Sequence, residues 1–128
     1  MAKWFHPDVL DNGLNLIKTN AQRVAVIDDY TVADSYATVI GNLVAAASTV
    51  SGDYTLGNQG TNGRQVTTPA KSATATASTT GSNDLHIAWL DDTNTRVLAV
   101  TDETTNQIIT SGNTVNLPSV ALKMNQPT

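Results

Sequence analysis

The chain is predicted to be a mainly β domain, a small antiparallel β-sandwich or barrel with a short N-terminal helix. Three observations predict this. Roughly one residue in six is threonine, and its β-branched side chain suits extended backbone. Short apolar runs bounded by turn-forming residues recur along the sequence, the spacing of a sandwich or barrel. The stretch Leu85–Thr101 sets two such runs around the polar loop Asp91-Asp92-Thr93-Asn94-Thr95, which is the pattern of a β-hairpin.

That hairpin holds the densest apolar volume in the chain. Strand alternation puts Leu85, Ile87 and Trp89 on one face and His86, Ala88 and Leu90 on the other. On the second strand it puts Val97 and Ala99 on one face, Leu98 and Val100 on the other. Both faces are apolar, so the hairpin belongs between layers, inside the fold. It is expected to serve as scaffold and to carry no chemistry.

The elements follow in order. Met1–Phe5 is an arm carrying Trp4 and Phe5; aromatics so near a terminus either anchor a neighbouring molecule or fold back onto their own core. Pro7–Thr19 predicts a short helix, with Pro7 in the first turn, Asp8 and Asp11 near the positive end of the dipole, and Leu10, Leu14 and Ile17 as one stripe. Gly13 in its interior would cost about 1 kcal/mol, so this helix needs a surface to pack on. Arg23–Ile27 is a strand, and Asp28–Thr31 turns the chain. Thr31–Gly41 fits both a helical stripe through Ala33, Tyr36, Ala37 and Ile40 and a strand over Tyr36–Ile40. Leu43–Val50 is a strand ended by Ser51-Gly52-Asp53, and Tyr54–Leu56 a short strand stub.

Gly57–Gly63 is a loop by composition. It matches neither phosphate-binding glycine motif, so contact with another subunit is its more plausible role. Arg64–Thr68 re-enters extended structure, and Pro69 ends it. Lys71–Thr80 alternates alanine with threonine at period two; a strand is favoured, and disorder is the alternative. Gly81–Asp84 turns into the hairpin. After a polar loop at Asp102–Asn106 come a short strand, Gln107–Thr110, a tight turn, Ser111–Asn113, and a last strand region, Thr114–Leu117 and Val120–Met124, broken by Pro118. Nothing divides the chain, so residues 1–128 form one β-rich domain with an N-terminal arm and helix over about 1–20.

Composition excludes several functions. With no cysteine there are no disulfides, no thiolate metal site and no cysteine nucleophile. The net charge is -4, and the seven basic residues are scattered, which argues against nucleic acid. No segment has the length and hydropathy of a membrane span, and the first residues lack the apolar run of a signal peptide. The expected site of synthesis is a cytoplasm.

No catalytic set stands out, and neither a cofactor nor a metal is expected. His6 and His86 are the only histidines, and there is no G-x-S-x-G elbow. His86 is expected on a strand face with ordinary hydrogen bonds. The acidic pairs Asp28/Asp29, Asp91/Asp92 and Asp102/Glu103 lack the oxygen-ligand spacing of a calcium loop and are expected to be solvated turns. The candidate partner-contact residues are Trp4, Phe5 and Arg64.

The order of segments resembles a family of small structural proteins of tailed bacteriophages, the head decoration, cement or minor capsid proteins. The resemblance runs through Met1-Ala2-Lys3-Trp4-Phe5 with Val9-Leu10-Asp11, Leu14-Asn15 and Ile17-Lys18, then through Asp53-Tyr54-Thr55-Leu56 and Gly63-Arg64-Gln65-Val66-Thr67. It continues in His86-Ile87-Ala88-Trp89-Leu90-Asp91 with Leu98-Ala99-Val100-Thr101, and is most specific at Ile109-Thr110-Ser111-Gly112-Asn113-Thr114-Val115-Asn116-Leu117-Pro118. It implies a non-enzymatic virion protein on the capsid surface, made in the host cytoplasm, that binds the major capsid protein lattice. A homo-oligomer follows, with a trimer as first expectation. A phage tail or neck subunit and a carbohydrate-binding surface module are the alternatives.

Overall fold

The computed structural model describes residues 4–5, 12–60, 63–103 and 107–125. The fold is mainly β, and among the described residues every strand pairing is antiparallel. The chain runs through β1 (Trp4–Phe5), α1 (Asn15–Asn20), β2 (Arg23–Ile27), α2 (Tyr36–Gly41), β3 (Leu43–Ser48), β4 (Thr55–Gln59), β5 (Gly63–Thr67), β6 (Lys71–Thr74), β7 (His86–Asp91), β8 (Arg96–Asp102), β9 (Thr114–Leu117) and β10 (Ala121–Asn125). A five-stranded sheet has the order β1-β8-β7-β2-β3. Two smaller sheets, β10-β5-β4 and β6-β9, accompany it.

The large sheet is dry on both sides, as the hairpin's two apolar faces require. On one side Val24, Val26, Ile87 and Trp89 meet Leu14 and Ile17 of the α1 region, Val66 and Leu122 of the three-stranded sheet, and Leu117 of β9. This is the sandwich layer. On the other side Ala25, Ile27, Ala88 and Leu90 meet Val39 of α2 and Tyr30. All six residues of β7 are buried, and Trp89 is 0% exposed.

The second hairpin strand departs from simple alternation. Asp91 pairs with Arg96 and Leu90 with Val97, but Trp89 pairs with Ala99. Leu98 is therefore an extra residue, a β-bulge, and two successive side chains fall on one side. Leu98 and Ala99 join the sandwich-side core, while Val97 and Val100 join the other. The faces expected from alternation, Val97 with Ala99 and Leu98 with Val100, are corrected accordingly. A matching irregularity lies in β3, where Val26 pairs with Ala45 and Ile27 with Leu43. The Val44 carbonyl accepts from the Thr76 backbone N–H at 2.7 Å and the Thr76 hydroxyl at 3.3 Å. The bulge's displaced acceptor is thus satisfied by another segment.

The other elements hold or shift for identifiable reasons. The helix expected over Pro7–Thr19 is interrupted: Asn12 is helical, Gly13 takes φ +70 in a turn, and α1 begins at Asn15. Pro7–Asp11, with Leu10, lie outside the described residues. The ambiguous Thr31–Gly41 ends in a helix because Ser35 caps it, its hydroxyl oxygen accepting from Thr38 N–H at 3.2 Å.

Of the expected Gly57–Gly63 loop, Gly57–Gln59 and Gly63 are strand residues. Gly57, Asn58 and Gln59 pair with Gln65, Arg64 and Gly63 in a hairpin whose turn includes Gly60 at φ +52. The cross-strand partner β5 outweighs weak local propensity. Lys71–Thr80 is a strand only to Thr74, and Gln107–Thr110 is not a strand. Threonine hydroxyls take over the ladder's role between these segments: Thr79 Oγ1 donates to the Gln107 carbonyl at 2.8 Å and accepts from Ile109 N–H at 3.0 Å.

Candidate functional site

The register of the central hairpin assembles a cluster that local motifs do not show. His86 opens β7 and Asp102 closes β8, and the ladder sets them opposite each other. A regular ladder through Leu98 would face His86 with Thr101 instead. Asp84 precedes His86 by two residues at the end of the Gly81–Asp84 turn, the spacing that returns a side chain to the same side.

The imidazole of His86 is 0% exposed, whereas the Asp102 side chain is 17% and the Asp84 side chain 64% exposed. His86 Nδ1 lies 2.8 Å from the Asp84 carbonyl oxygen. A carbonyl only accepts, so Nδ1 carries the proton and donates. Nε2 then faces Asp84 Oδ2 and Asp102 Oδ1, each at 4.0 Å, beyond hydrogen-bond reach. It is buried without a hydrogen-bond partner. The ligand atoms of Asp84, His86 and Asp102 lie within 4.8 Å of one another. The Tyr30 ring packs beside the imidazole at 5.7 Å, tilted by 55°. Burial and the neighbouring Asp102 charge push the Glu103 carboxyl above its ordinary range. Chemically the cluster offers one imidazole nitrogen and two carboxylate oxygens converging on a point that is dry inside and wet outside.

The opposite end of the hairpin is built differently. Asp91 is 1% exposed. Its carboxylate accepts from Arg96 Nη2 at 2.7 Å, Asn94 Nδ2 at 2.9 Å and Asn94 N–H at 3.2 Å. Burial works against its charge, but these bonds prevail and hold the carboxyl below its ordinary range. Asp92 takes a two-pronged contact from Arg23, at 2.8 and 2.9 Å, and accepts from the Tyr36 hydroxyl at 2.7 Å. The expectation that Asp91/Asp92 is a solvated turn is therefore corrected: Asp91 is buried and ties the turn to β8, and Asp92 pins it to β2 and α2.

The partner-contact residues do not converge on one described site. The backbone of Trp4 and Phe5 pairs with Val100 and Ala99 as the edge strand of the large sheet; their side chains lie outside the described residues. Arg64 is exposed on β5, and its Nη1 donates to Asn58 Oδ1 at 2.7 Å. It borders a shallow groove of about 380 Å³ shared with Leu14, Leu56 and Met124.

Sequence reasoning missed the Asp84–His86–Asp102 cluster. Its only local signal is the Asp-x-His spacing, and the third member is supplied by the bulge.

Comparison of the chain with protein-family models, with curated proteins and with solved structures gave no match. Among the described residues no helix is long and apolar enough to cross a membrane.

Proposed function

We propose that the chain is a structural virion protein that decorates and stabilises a bacteriophage capsid by binding the major capsid protein lattice. The segment resemblance supports this reading. The structural observation that carries it is the Arg64 groove. Leu14 and Leu56 with Met124 give it an apolar floor, and an exposed guanidinium stands at its edge. A buried apolar centre with a polar, hydrogen-bonding rim is the usual anatomy of a protein contact. The large sheet, filled on both faces, holds that surface rigid, which limits the ordering cost of docking. Repeated copies on a lattice favour a closed oligomer, and a trimer is the form we propose.

The test mixes purified full-length protein with expanded heads that lack it and images the particles. Regular density at repeated lattice positions is expected. Absent or randomly placed density overturns the reading. Arg64→Ala is expected to weaken lattice binding at least tenfold while leaving the melting temperature within about 1 °C, since exposed substitutions seldom change stability by more than a few tenths of a kcal/mol.

A further inference from the structure

We propose that Asp84, His86 and Asp102 form a binding site for one divalent transition-metal ion, of the zinc or cobalt class, that fastens the open end of the central hairpin. The argument begins with the imidazole. A ring nitrogen buried without a partner is costly, and here the backbone fixes which nitrogen it is. With Nδ1 donating to the Asp84 carbonyl, Nε2 is the nitrogen left facing the two carboxylate oxygens, and it is the one that can bind an ion. A cation between the ring nitrogen and the two carboxylate oxygens would give the buried Nε2 the partner it lacks. This arrangement, one ring nitrogen donating to a backbone carbonyl while the other meets the ion, is the usual way a protein orients a histidine ligand.

The distances fit an ion. Two sides of the ligand triangle are 4.0 Å and the third is at most 4.8 Å. A point in its plane lies roughly 2.1–2.5 Å from all three, so zinc bonds of about 2.0–2.2 Å would draw the carboxylates in by a few tenths of an ångström. The donor set selects the class. Calcium and magnesium take oxygen ligands, whereas a mixed imidazole–carboxylate set suits zinc and its first-row neighbours. The exposed Asp84 side leaves room for a water to complete the coordination. Because Asp102 belongs to β8 and Asp84 to the turn before β7, the ion would join two chain segments, and binding to the folded state alone raises stability by mass action.

The experiment uses the full-length chain stripped with a chelator and titrated with Zn2+, followed by calorimetry and thermal melting, with Co2+ as a visible-absorption probe. One equivalent is expected to bind, raising the melting temperature by several degrees, and to produce a ligand-field band with Co2+. Asp84→Asn is the primary variant, since its exposed side chain lets the fold persist; it should weaken Zn2+ binding at least tenfold. Asp102→Asn should do the same. His6→Ala, which removes the other histidine, should leave binding unchanged. The proposal is overturned if the wild-type chain takes up no Zn2+ or Co2+ at millimolar concentration. Uptake indifferent to Asp84→Asn, or abolished by His6→Ala, overturns it equally.

Discussion

His86 stands opposite Asp102 because β8 contains one residue more than β7 between the turn and that pair. The extra residue is Leu98, whose side chain fills the sandwich-side core. One leucine thus sets two things at a distance from itself: the faces of Ala99 and Val100, and the partner of a buried imidazole.

Deleting Leu98 is expected to regularise the hairpin without moving its other pairs. Trp89 would remain opposite Ala99 and His86 opposite Asp102. The cost should match the loss of a buried leucine, about 2–5 kcal/mol in denaturant unfolding. Backbone NOEs between His86 and Asp102 should survive. Their replacement by NOEs from His86 to another residue would contradict the bulge assignment.

Acid should weaken the turn end of the hairpin through Asp91. Its folded pKa is depressed, so its stabilisation is complete above the ordinary carboxylate range and is lost as pH falls through the folded value. Asp91→Ala should remove about 3 kcal/mol at neutral pH, because it takes away the buried carboxylate that Arg96 and the turn donors share. The variant's loss relative to the wild-type chain should shrink as both are acidified toward pH 2. A difference that stays constant from pH 7 to pH 2 would refute this.

Tyr54 gives the opposite sign at high pH. Burial, only partly offset by the 2.8 Å bond with Thr49, pushes its hydroxyl up to about 12. The folded value exceeds the unfolded one, so its contribution is full below about pH 10 and disappears as pH rises toward about 12. Burial also raises Tyr30 and the bond to Asp92 raises Tyr36, but Tyr54 is pushed furthest, so phenolate absorbance should show its ionisation last, together with unfolding. Tyr54→Phe should remove that late component.

Thr79 is 5% exposed, and its hydroxyl both donates to Gln107 and accepts from Ile109. Thr79→Val keeps the shape and leaves two backbone groups without that partner. A loss of about 1–3 kcal/mol is expected from chemical denaturation. Thr80→Val, at an exposed position, should cost under about 0.5 kcal/mol.

Some of this was legible in the residues themselves. RVAVI is a strand with the bounds its apolar run suggests, because burial on both faces leaves no competing pattern. Trp89 is buried as its place in the densest apolar run implies. The bulges at Leu98 and Val44 were not legible, since neither carries a glycine or other local mark, and both arise from how neighbouring strands must align. The Gly57–Gly63 hairpin was hidden for a related reason: its order comes from β5, not from its own composition. The Asp84–His86–Asp102 cluster depends on register, so no inspection of Asp84 or Asp102 alone could find it. Arg64 was named from the sequence only as a candidate contact residue; its apolar neighbours Leu14, Leu56 and Met124 come from three distant parts of the chain.

The five-stranded sheet supplies one wall to each of the two cores, and its backbone is their common boundary. Ile87 and Ala88 are neighbours on the same strand and face opposite cores, so a disruption of β7 is felt in both at once. Heat or tension should therefore meet no gradual softening, but a single abrupt failure.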